Sequence, residues 1–199
     1  MFVRGPVAMP GQRIGLLGGS FDPPHEGHVH ITRWALRRLA LHRVWWLVSP
    51  GNPLKADGPA EIDRRVAACR ALIQHPRVVV TDIERHLGSP YTARTLGALS
   101  RRYPGVRFVW LMGADNLTGF HRWDRWEWIL RRYPVGVMAR PGEQLKAGFS
   151  PAARRFSEGR VRQNAAAALG CLPTPSWVLL TGPMSEASST AIRRRGDWP

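Results

Sequence analysis

The chain has 199 residues and a formal net charge of +15, with 29 Lys and Arg against 14 Asp and Glu. A single domain of this length buries roughly 70% of the surface of its unfolded chain, so it needs neither disulfides nor a structural metal to fold. Cys69 and Cys171 lack CxxC or Cys/His spacing and are interpreted as small core residues, which excludes a disulfide framework or zinc site. No apolar run is long enough to span a membrane and no signal peptide is recognisable, which predicts a cytoplasmic protein without membrane association.

The positive charge is dispersed along the chain. Only Lys55 and Lys146 are lysines, and the arginines recur in pairs at predicted helix ends, such as residues 37–38 and 131–132. Nucleic-acid-binding modules more often cluster their charge or carry a recognition motif, and neither is found here. The pattern predicts a positive field that attracts small anions, with no specific nucleic-acid partner.

Short apolar runs alternate with helical patterns in chain order. The predicted strands are residues 13–18, 44–48, 78–81, 107–112, 135–139 and 177–180. The predicted helices are residues 28–40, 60–74, 92–102, 125–132, 151–168 and 189–194, and residues 140–149 are predicted to form a loop. Continuously apolar strands are typical of a parallel sheet covered on both faces. The fold class is therefore α/β: a Rossmann-like, doubly wound, mostly parallel sheet with helices on both faces. Residues 1–12 are interpreted as an N-terminal extension and residues 13–199 as a single domain.

Polar or glycine-rich loops follow four of the predicted strands. They are residues 18–28, 49–55, 113–116 and 182–190. In open α/β sheets, ligands bind beyond the carboxyl ends of the strands. We expect these four loops to converge on one ligand site at that edge.

The first loop, GGSFDPPHEGH, holds the most chemical information. The loop contains glycines, two histidines three residues apart and the start of a predicted helix. This combination can bring backbone N–H groups and imidazoles to a phosphate. His25 and His28 are predicted donors to phosphate, Gly27 is predicted to permit its close approach, and Asp22 is predicted to fix the turn. The alternative is a surface turn in which one histidine caps the helix. A metal site is not predicted, because no further Cys or His falls at ligand spacing.

Lys55 and the serine-threonine run at residues 188–190 also have two interpretations each. Lys55 suits a transferring phosphate as a compact charge on a flexible stem, or is a solvated loop lysine. Residues 188–190 suit a triphosphate cradle with Arg193 one turn on, or are simply N-cap residues.

Several segments together resemble one family, the bacterial nicotinate-mononucleotide adenylyltransferases of the HxGH nucleotidyltransferase superfamily. The segments are GGSFDPPHEGH at 18–28, NPLK at 52–55, YTARTL at 91–96, GADNL at 113–117 with residues 123–126, RPG at 140–142 and SSTAIR at 188–193. The resemblance extends over nearly everything from residue 13 to residue 195. It implies transfer of AMP from ATP to nicotinate mononucleotide, which yields nicotinate adenine dinucleotide and pyrophosphate in NAD biosynthesis.

The resemblance also implies a set of site residues. The implied catalytic residues are His25, His28, Lys55 and Arg193. The implied ATP-binding residues are Gly18, Gly19, Ser20, Phe21, Gly27, Gly113, Asp115, Ser189 and Thr190. The implied mononucleotide-binding residues are Tyr91, Thr92, Trp123 and Arg140. Mg²⁺ is expected on the ATP phosphates, mostly through water. The oligomeric state is left open between a monomer and a homo-oligomer.

Other functions remain as alternatives. The same superfamily includes enzymes that adenylylate other phosphates, so phosphopantetheine and nicotinamide mononucleotide are alternative acceptors. The Tyr91, Thr92 and Trp123 segments favour a flat aromatic acceptor. A basic nucleic-acid-associated protein with a nucleotide-sensing fold is a second class. A dinucleotide-dependent oxidoreductase lacks support, because no GxGxxG follows the first predicted strand.

Overall fold

A six-stranded parallel sheet organises the protein, whose computed structural model describes residues 5–51, 59–87, 89–139, 141–142, 144–182 and 187–198. The strands are β1 Arg13–Gly19, β2 Arg43–Val48, β3 Val78–Thr81, β4 Arg107–Gly113, β5 Val135–Met138 and β6 Trp177–Leu180. Their order is β3-β2-β1-β4-β5-β6, which confirms the Rossmann-like fold class. From β1 the sheet extends in one direction through β2 and β3 and in the other through β4, β5 and β6. Sheets of this kind bind ligands at this switch point, between β1 and β4.

Helices connect the strands and cover both faces of the sheet. They are α1 Glu26–Arg38, α2 Ile62–Leu72, α3 Thr92–Arg102, α4 Ala114–Gly119, α5 Trp126–Arg132, α6 Gln144–Gly148, α7 Pro151–Arg155 and α8 Ser189–Arg194. Within the described residues, the 3₁₀ segments are Ile83–His86, Phe120–Arg122, Ser157–Gly159 and Gln163–Cys171. Each connection between two parallel strands carries the chain back to the amino end of the sheet. A helix that follows a strand therefore begins at the carboxyl end of that strand.

Two hydrophobic layers sandwich the sheet. In β2, Trp45 belongs to the layer beneath α3 and α5, and its neighbour Trp46 belongs to the layer beneath α1 and α2. Both tryptophans are fully buried. Successive side chains of a strand point to opposite faces, so consecutive large apolar residues require that both faces be covered. This confirms the physical basis of the fold prediction.

The predicted helix over residues 151–168 is confirmed for its first five residues and is wrong beyond them. The helix α7 ends at Arg155, and 3₁₀ turns follow instead. The reason is tertiary: a Cβ on Gly159 would lie 2.5 Å from the Pro175 carbonyl oxygen, and the Val161 N–H donates to the Trp177 carbonyl at 2.7 Å. The backbone leaves the helix to lie beside the start of β6, which helical propensity could not reveal.

The predicted loop over residues 140–149 also needs correction, because it contains the short helix α6. Ala147 is fully buried, so the helical turn is held by docking this small residue into the core. Over the described parts of the chain, no helix has both the length and the apolarity that crossing a membrane requires.

Cys69 and Cys171 differ in environment. Cys69 is buried in α2, and burial raises the pKa of its thiol to about 12, as expected for a core residue. Cys171 is exposed, so its prediction as a core residue is wrong. It lines a cavity of about 440 Å³ at the amino-end edge of the sheet, where Arg13 Nη1 lies 3.7 Å from its sulfur. Hydrogen bonds from Arg13 and then Arg107 lower the pKa of the Cys171 thiol.

The described part of the N-terminal extension lies against the domain. The Gly11 N–H donates to the Gly105 carbonyl at 2.8 Å, and the Arg107 N–H donates to the Gln12 carbonyl at 2.8 Å. These bonds place residues 9–12 beside the turn that precedes β4. The division into an extension and a single domain from residue 13 stays a prediction.

Candidate active site at the carboxyl edge of the sheet

The turn between β1 and α1 places two histidines at the start of a helix. His25 is the N-cap residue of α1, and its Nδ1 accepts the Gly27 N–H at 3.1 Å. His28 closes the reciprocal bond, since its Nδ1 accepts the His25 N–H at 3.2 Å. The pair forms a capping box in which imidazole nitrogens accept the backbone N–H bonds that Ser and Glu side chains usually accept. The capping that the sequence raised as an alternative is observed for both histidines, and their donation to phosphate stays a prediction.

These two bonds determine where the imidazole protons lie. A neutral imidazole has one donor nitrogen and one acceptor nitrogen. Because Nδ1 accepts in both His25 and His28, the neutral form of each ring carries its proton on Nε2. The ring centroids are 3.9 Å apart, so the two imidazoles lie next to each other. Such a pair can donate to neighbouring oxygens of one phosphate chain.

The far side of His28 is held by aromatic packing. Its ring centroid lies 4.6 Å from that of Phe21 and 5.9 Å from that of Trp46. Phe21 is 1% exposed and has a positive φ of 48°, which few residues other than glycine adopt. The predicted ATP-binding residue Phe21 therefore lies beneath the histidines as a support for the ring of His28.

Packing within the protein gives the glycines of the loop a steric role of their own. A Cβ on Gly27 would lie 2.8 Å from His25 Nδ1, so a side chain there would displace the imidazole. A Cβ on Gly18 would lie 2.4 Å from the ring of Trp110. At Gly19 the nearest atom would be 3.5 Å away, an ordinary contact. Gly18 and Gly27 are thus required by neighbouring aromatic rings, in addition to their predicted approach to ATP.

A buried arginine joins the first two loops. Arg65 of α2 is 1% exposed, and it donates to the carbonyls of Ser20 and Ala60, both at 2.6 Å. It also donates to the carbonyl of Ser49 at 2.8 Å. Three separate backbone segments are therefore held by one guanidinium, whose rigid fork suits such cross-linking. Burial lowers the pKa of Arg65 from its usual range.

The C-terminal helix is attached to the histidine turn. Ser189 Oγ donates to the Pro23 carbonyl at 2.9 Å, and Arg193 Nη1 lies 3.6 Å from Asp22 Oδ2. A Cβ on Gly27 would also lie 3.2 Å from the Ala187 carbonyl. The expectation that the last loop meets the histidine loop at one edge is confirmed. Asp22 Oδ1 accepts the Ala60 N–H at 3.3 Å, so the carboxylate ties the turn to the segment before α2, and its predicted role within the turn stays a prediction.

The fourth strand brings further predicted residues to the same edge. Gly113 ends β4 and is the N-cap of α4, where Asp115 is exposed in the first turn. Thr190, in the first turn of α8, is exposed as well. These positions are compatible with contacts to a nucleotide, and their roles stay predictions.

The predicted mononucleotide residues lie on two elements. Tyr91 is the exposed N-cap of α3, and Thr92 is the first residue of that helix. Trp123 is half-buried; its ring centroid lies 6.2 Å from that of Trp110, which also contacts Gly18. Trp110 therefore links the histidine loop to the predicted stacking residue. Lys55 and Arg140 lie outside the described residues.

Among the described residues, two buried charged residues near this edge, Arg65 and Glu84, were not singled out by the sequence. Besides Arg65, Glu84 is 5% exposed in the 3₁₀ segment after β3, and burial raises its pKa from 4.5 to about 7. A signal for Arg65 exists in the sequence: it shares the apolar stripe of Ile62, Val66 and Cys69 on α2. A charged residue on such a stripe indicates a buried hydrogen-bonding role.

Comparison with known proteins agrees with this geometry. A family model described as cytidylyltransferase-like matches residues 16–195. A Ruegeria pomeroyi protein named "Probable nicotinate-nucleotide adenylyltransferase" is 58% identical over 193 residues, which is 97% of this chain and 91% of the relative. A Cereibacter sphaeroides protein of the same name is 62% identical over 185 residues, 93% of this chain and 98% of that one. The Plasmodium falciparum nicotinic acid mononucleotide adenylyltransferase complexed with NaAD has a TM-score of 0.72 at 17% identity, over 92% of this chain and 83% of that one.

The fold and the site together define an enzyme of the nucleotidyltransferase class. The Rossmann-like sheet, the paired histidines at its switch point and the match to a cytidylyltransferase-like model all agree on that class. Since the curated relatives match nearly end to end, the chain belongs to the nicotinate-nucleotide adenylyltransferase family.

Proposed function

We propose that this enzyme transfers AMP from ATP to nicotinate mononucleotide, releases pyrophosphate and so makes nicotinate adenine dinucleotide for NAD biosynthesis. The observation that carries the proposal is the attachment of α8 to the histidine turn through Ser189 Oγ and the Pro23 carbonyl, 2.9 Å apart. This contact brings the start of α8, the helix that carries Arg193, to the turn that carries His25 and His28. Family membership supplies the acceptor, because both reported relatives carry the name nicotinate-nucleotide adenylyltransferase.

The chemistry proposed for this site needs no general base. The attacking group is a phosphate monoester whose second pKa is about 6, so it is largely dianionic near neutrality. The difficulty lies in bringing two anions together while negative charge develops on the departing pyrophosphate. Catalysis by positioning and by electrostatic stabilisation answers that difficulty.

The two histidines suit this electrostatic task. Their Nε2–H donors are directed by the capping bonds at Nδ1, so they need not reorganise when charge develops. We assign them to the ATP phosphates, with Arg193, Ser189 and Thr190 on the β- and γ-phosphates. The bond that forms joins an oxygen of the mononucleotide phosphate to the α-phosphorus of ATP. The bond that breaks is the α–β bridge, and its electron pair leaves with pyrophosphate.

The mononucleotide is assigned to the β4 side of the histidines. Trp123 would stack on the nicotinate ring, and Tyr91, Thr92 and Arg140 would complete that subsite. Lys55 is assigned to the transferring phosphate. Mg²⁺ is proposed to arrive on the ATP phosphates and to keep much of its water shell. Cytoplasmic location, the lack of a specific nucleic-acid partner and the oligomeric state stay as predicted from the sequence.

A comparison of acceptors tests the proposal. Pyrophosphate release is measured with ATP and, separately, nicotinate mononucleotide, nicotinamide mononucleotide or phosphopantetheine. We expect the highest kcat/KM with nicotinate mononucleotide. Equal or higher kcat/KM with phosphopantetheine would refute the acceptor assignment, and no ATP-dependent pyrophosphate release with any acceptor would refute the reaction class.

A further inference from the structure

The C-terminal tail returns to the active-site turn. After α8, Gly196 has a φ of +77°. Its N–H donates to the Arg193 carbonyl at 3.0 Å, and the Asp197 N–H donates to the Ile192 carbonyl at 3.4 Å. This is the Schellman arrangement of helix ends, which favours glycine because of the left-handed backbone. It reverses the chain and brings Trp198 back toward the start of the domain.

Trp198 meets two elements of the site. Its indole Nε1–H donates to Asp22 Oδ1 at 2.8 Å, and the guanidinium carbon of Arg64 lies 4.4 Å from the centroid of its ring. Arg64 neighbours the buried Arg65 on α2. The tail therefore joins α2 to the turn that leads into His25.

Asp22 is the point where these contacts meet. The residue is 8% exposed, and its Oδ1 accepts from Trp198 and from the Ala60 N–H. The other oxygen, Oδ2, faces Arg193 at 3.6 Å, and the same guanidinium donates to the Asp22 backbone carbonyl. One buried carboxylate is thus shared between two neutral donors and one cation.

In the proposed function Arg193 has a second role besides its ion pair with Asp22, because its guanidinium is assigned to the ATP phosphates. The carboxylate and the triphosphate then compete for one cation. Neutral N–H donors at Oδ1 draw charge from the carboxylate, and they keep Asp22 hydrogen-bonded when Arg193 turns toward phosphate. A buried carboxylate that lost such a donor would hold its remaining cation more tightly.

We infer that Trp198 is a positioning residue for ATP: through Asp22 it sets how readily Arg193 is shared with the triphosphate. This inference rests on the proposed assignment of Arg193 to the ATP phosphates. Trp198 itself is not placed in contact with substrate. Its effect is therefore expected on ATP binding and not on the acceptor.

A pair of substitutions separates the N–H group from ring packing. Trp198→Phe keeps a ring on Arg64 and removes the donor, whereas Trp198→His keeps a ring N–H. We expect Trp198→Phe to raise the KM for ATP about fivefold, with the KM for nicotinate mononucleotide and kcat within twofold of the wild type. Trp198→His should stay within twofold on all three. The matched control is Trp128→Phe, another half-buried tryptophan beside an arginine, with Arg132 at 5.5 Å, which should leave the KM for ATP unchanged.

A double-mutant cycle tests the route through Asp22. Binding of a non-hydrolysable ATP analogue is measured by calorimetry, so that variants with low turnover are still compared. Because Asp22→Asn removes the competing charge, Trp198→Phe should weaken binding about fivefold with Asp22 present and less than twofold beside Asp22→Asn. Thermal unfolding of Trp198→Phe and Trp198→His should be alike.

Three outcomes would overturn the inference: an unchanged KM for ATP in Trp198→Phe, equal losses in Trp198→Phe and Trp198→His, or the same loss beside Asp22→Asn. Failure of the proposed function gives a different result. In that case the wild type itself would neither bind the analogue nor release pyrophosphate with nicotinate mononucleotide.

Discussion

Glu84 gives the protein a stability that depends on pH in a definite direction. The residue is 5% exposed, and burial raises the pKa of its carboxyl from 4.5 to about 7. Over that range the folded state holds a proton that the unfolded state has released. Stability is then fully present below about pH 4.5 and is lost as the pH rises through about 7.

The size of the effect follows from the same two values. The difference between 4.5 and about 7, at about 1.4 kcal/mol for each factor of ten, corresponds to a loss on the order of 3 kcal/mol. Glu84→Gln resembles the protonated side chain and does not titrate. We expect it to match the wild type in free energy of unfolding near pH 4.5 and to exceed it by up to about 3 kcal/mol at pH 8.

Urea unfolding of both proteins at intervals from pH 4.5 to 8.5 measures this difference, and groups that titrate in both proteins cancel. Glu158→Gln, at an exposed position, is the matched control and should show no such trend. A Glu84→Gln protein less stable than the wild type at pH 8 would contradict this expectation, because it would mean that the folded protein stabilises the carboxylate form.

Three further substitutions probe the site. His28→Ala should lower kcat at least about a hundredfold with little change in unfolding, since it removes a preorganised donor; near-native turnover would contradict that role. Trp123→Ala should raise the KM for nicotinate mononucleotide about tenfold through lost stacking, whereas Trp123→Phe keeps a ring and should raise this KM less. If both variants keep the KM of the wild type, the acceptor binds elsewhere. A lysine at position 65 cannot donate to all of the carbonyl partners of Arg65, so Arg65→Lys should lower the free energy of urea unfolding by roughly 3 kcal/mol and should lower kcat. Arg70→Lys, at an exposed position, is the control. Wild-type stability and kcat in Arg65→Lys would show that these hydrogen bonds are dispensable.

The histidine pair illustrates what local sequence can predict. His25 and His28 are three residues apart at a helix start, so their mutual capping depends on neighbours in the chain. The apolar strands were likewise predictable, because a run such as that of β2 is stable only with both faces buried. The position of the switch point between β1 and β4 comes from the order of strands in the sheet, which the tertiary structure shows.

The residues that the predictions missed depend on distant segments. Arg65 contacts the carbonyl of Ser20, which is 45 positions away, and Trp198 contacts Asp22 across 176 positions. Helical propensity over residues 151–168 likewise gave way to the close approach of Gly159 to Pro175.

Local patterns in the amino-acid sequence are sufficient for the alternation of strands and helices and for the mutual capping of His25 and His28 at the start of α1. These depend on apolar periodicity and on residues adjacent in the chain. Contacts between segments far apart in the chain make Arg65 the partner of three loop segments and place Asp22 between Arg193 and Trp198. Buried polar groups take whichever partner the packed chain brings within hydrogen-bonding distance, and that partner leaves no mark on the local sequence.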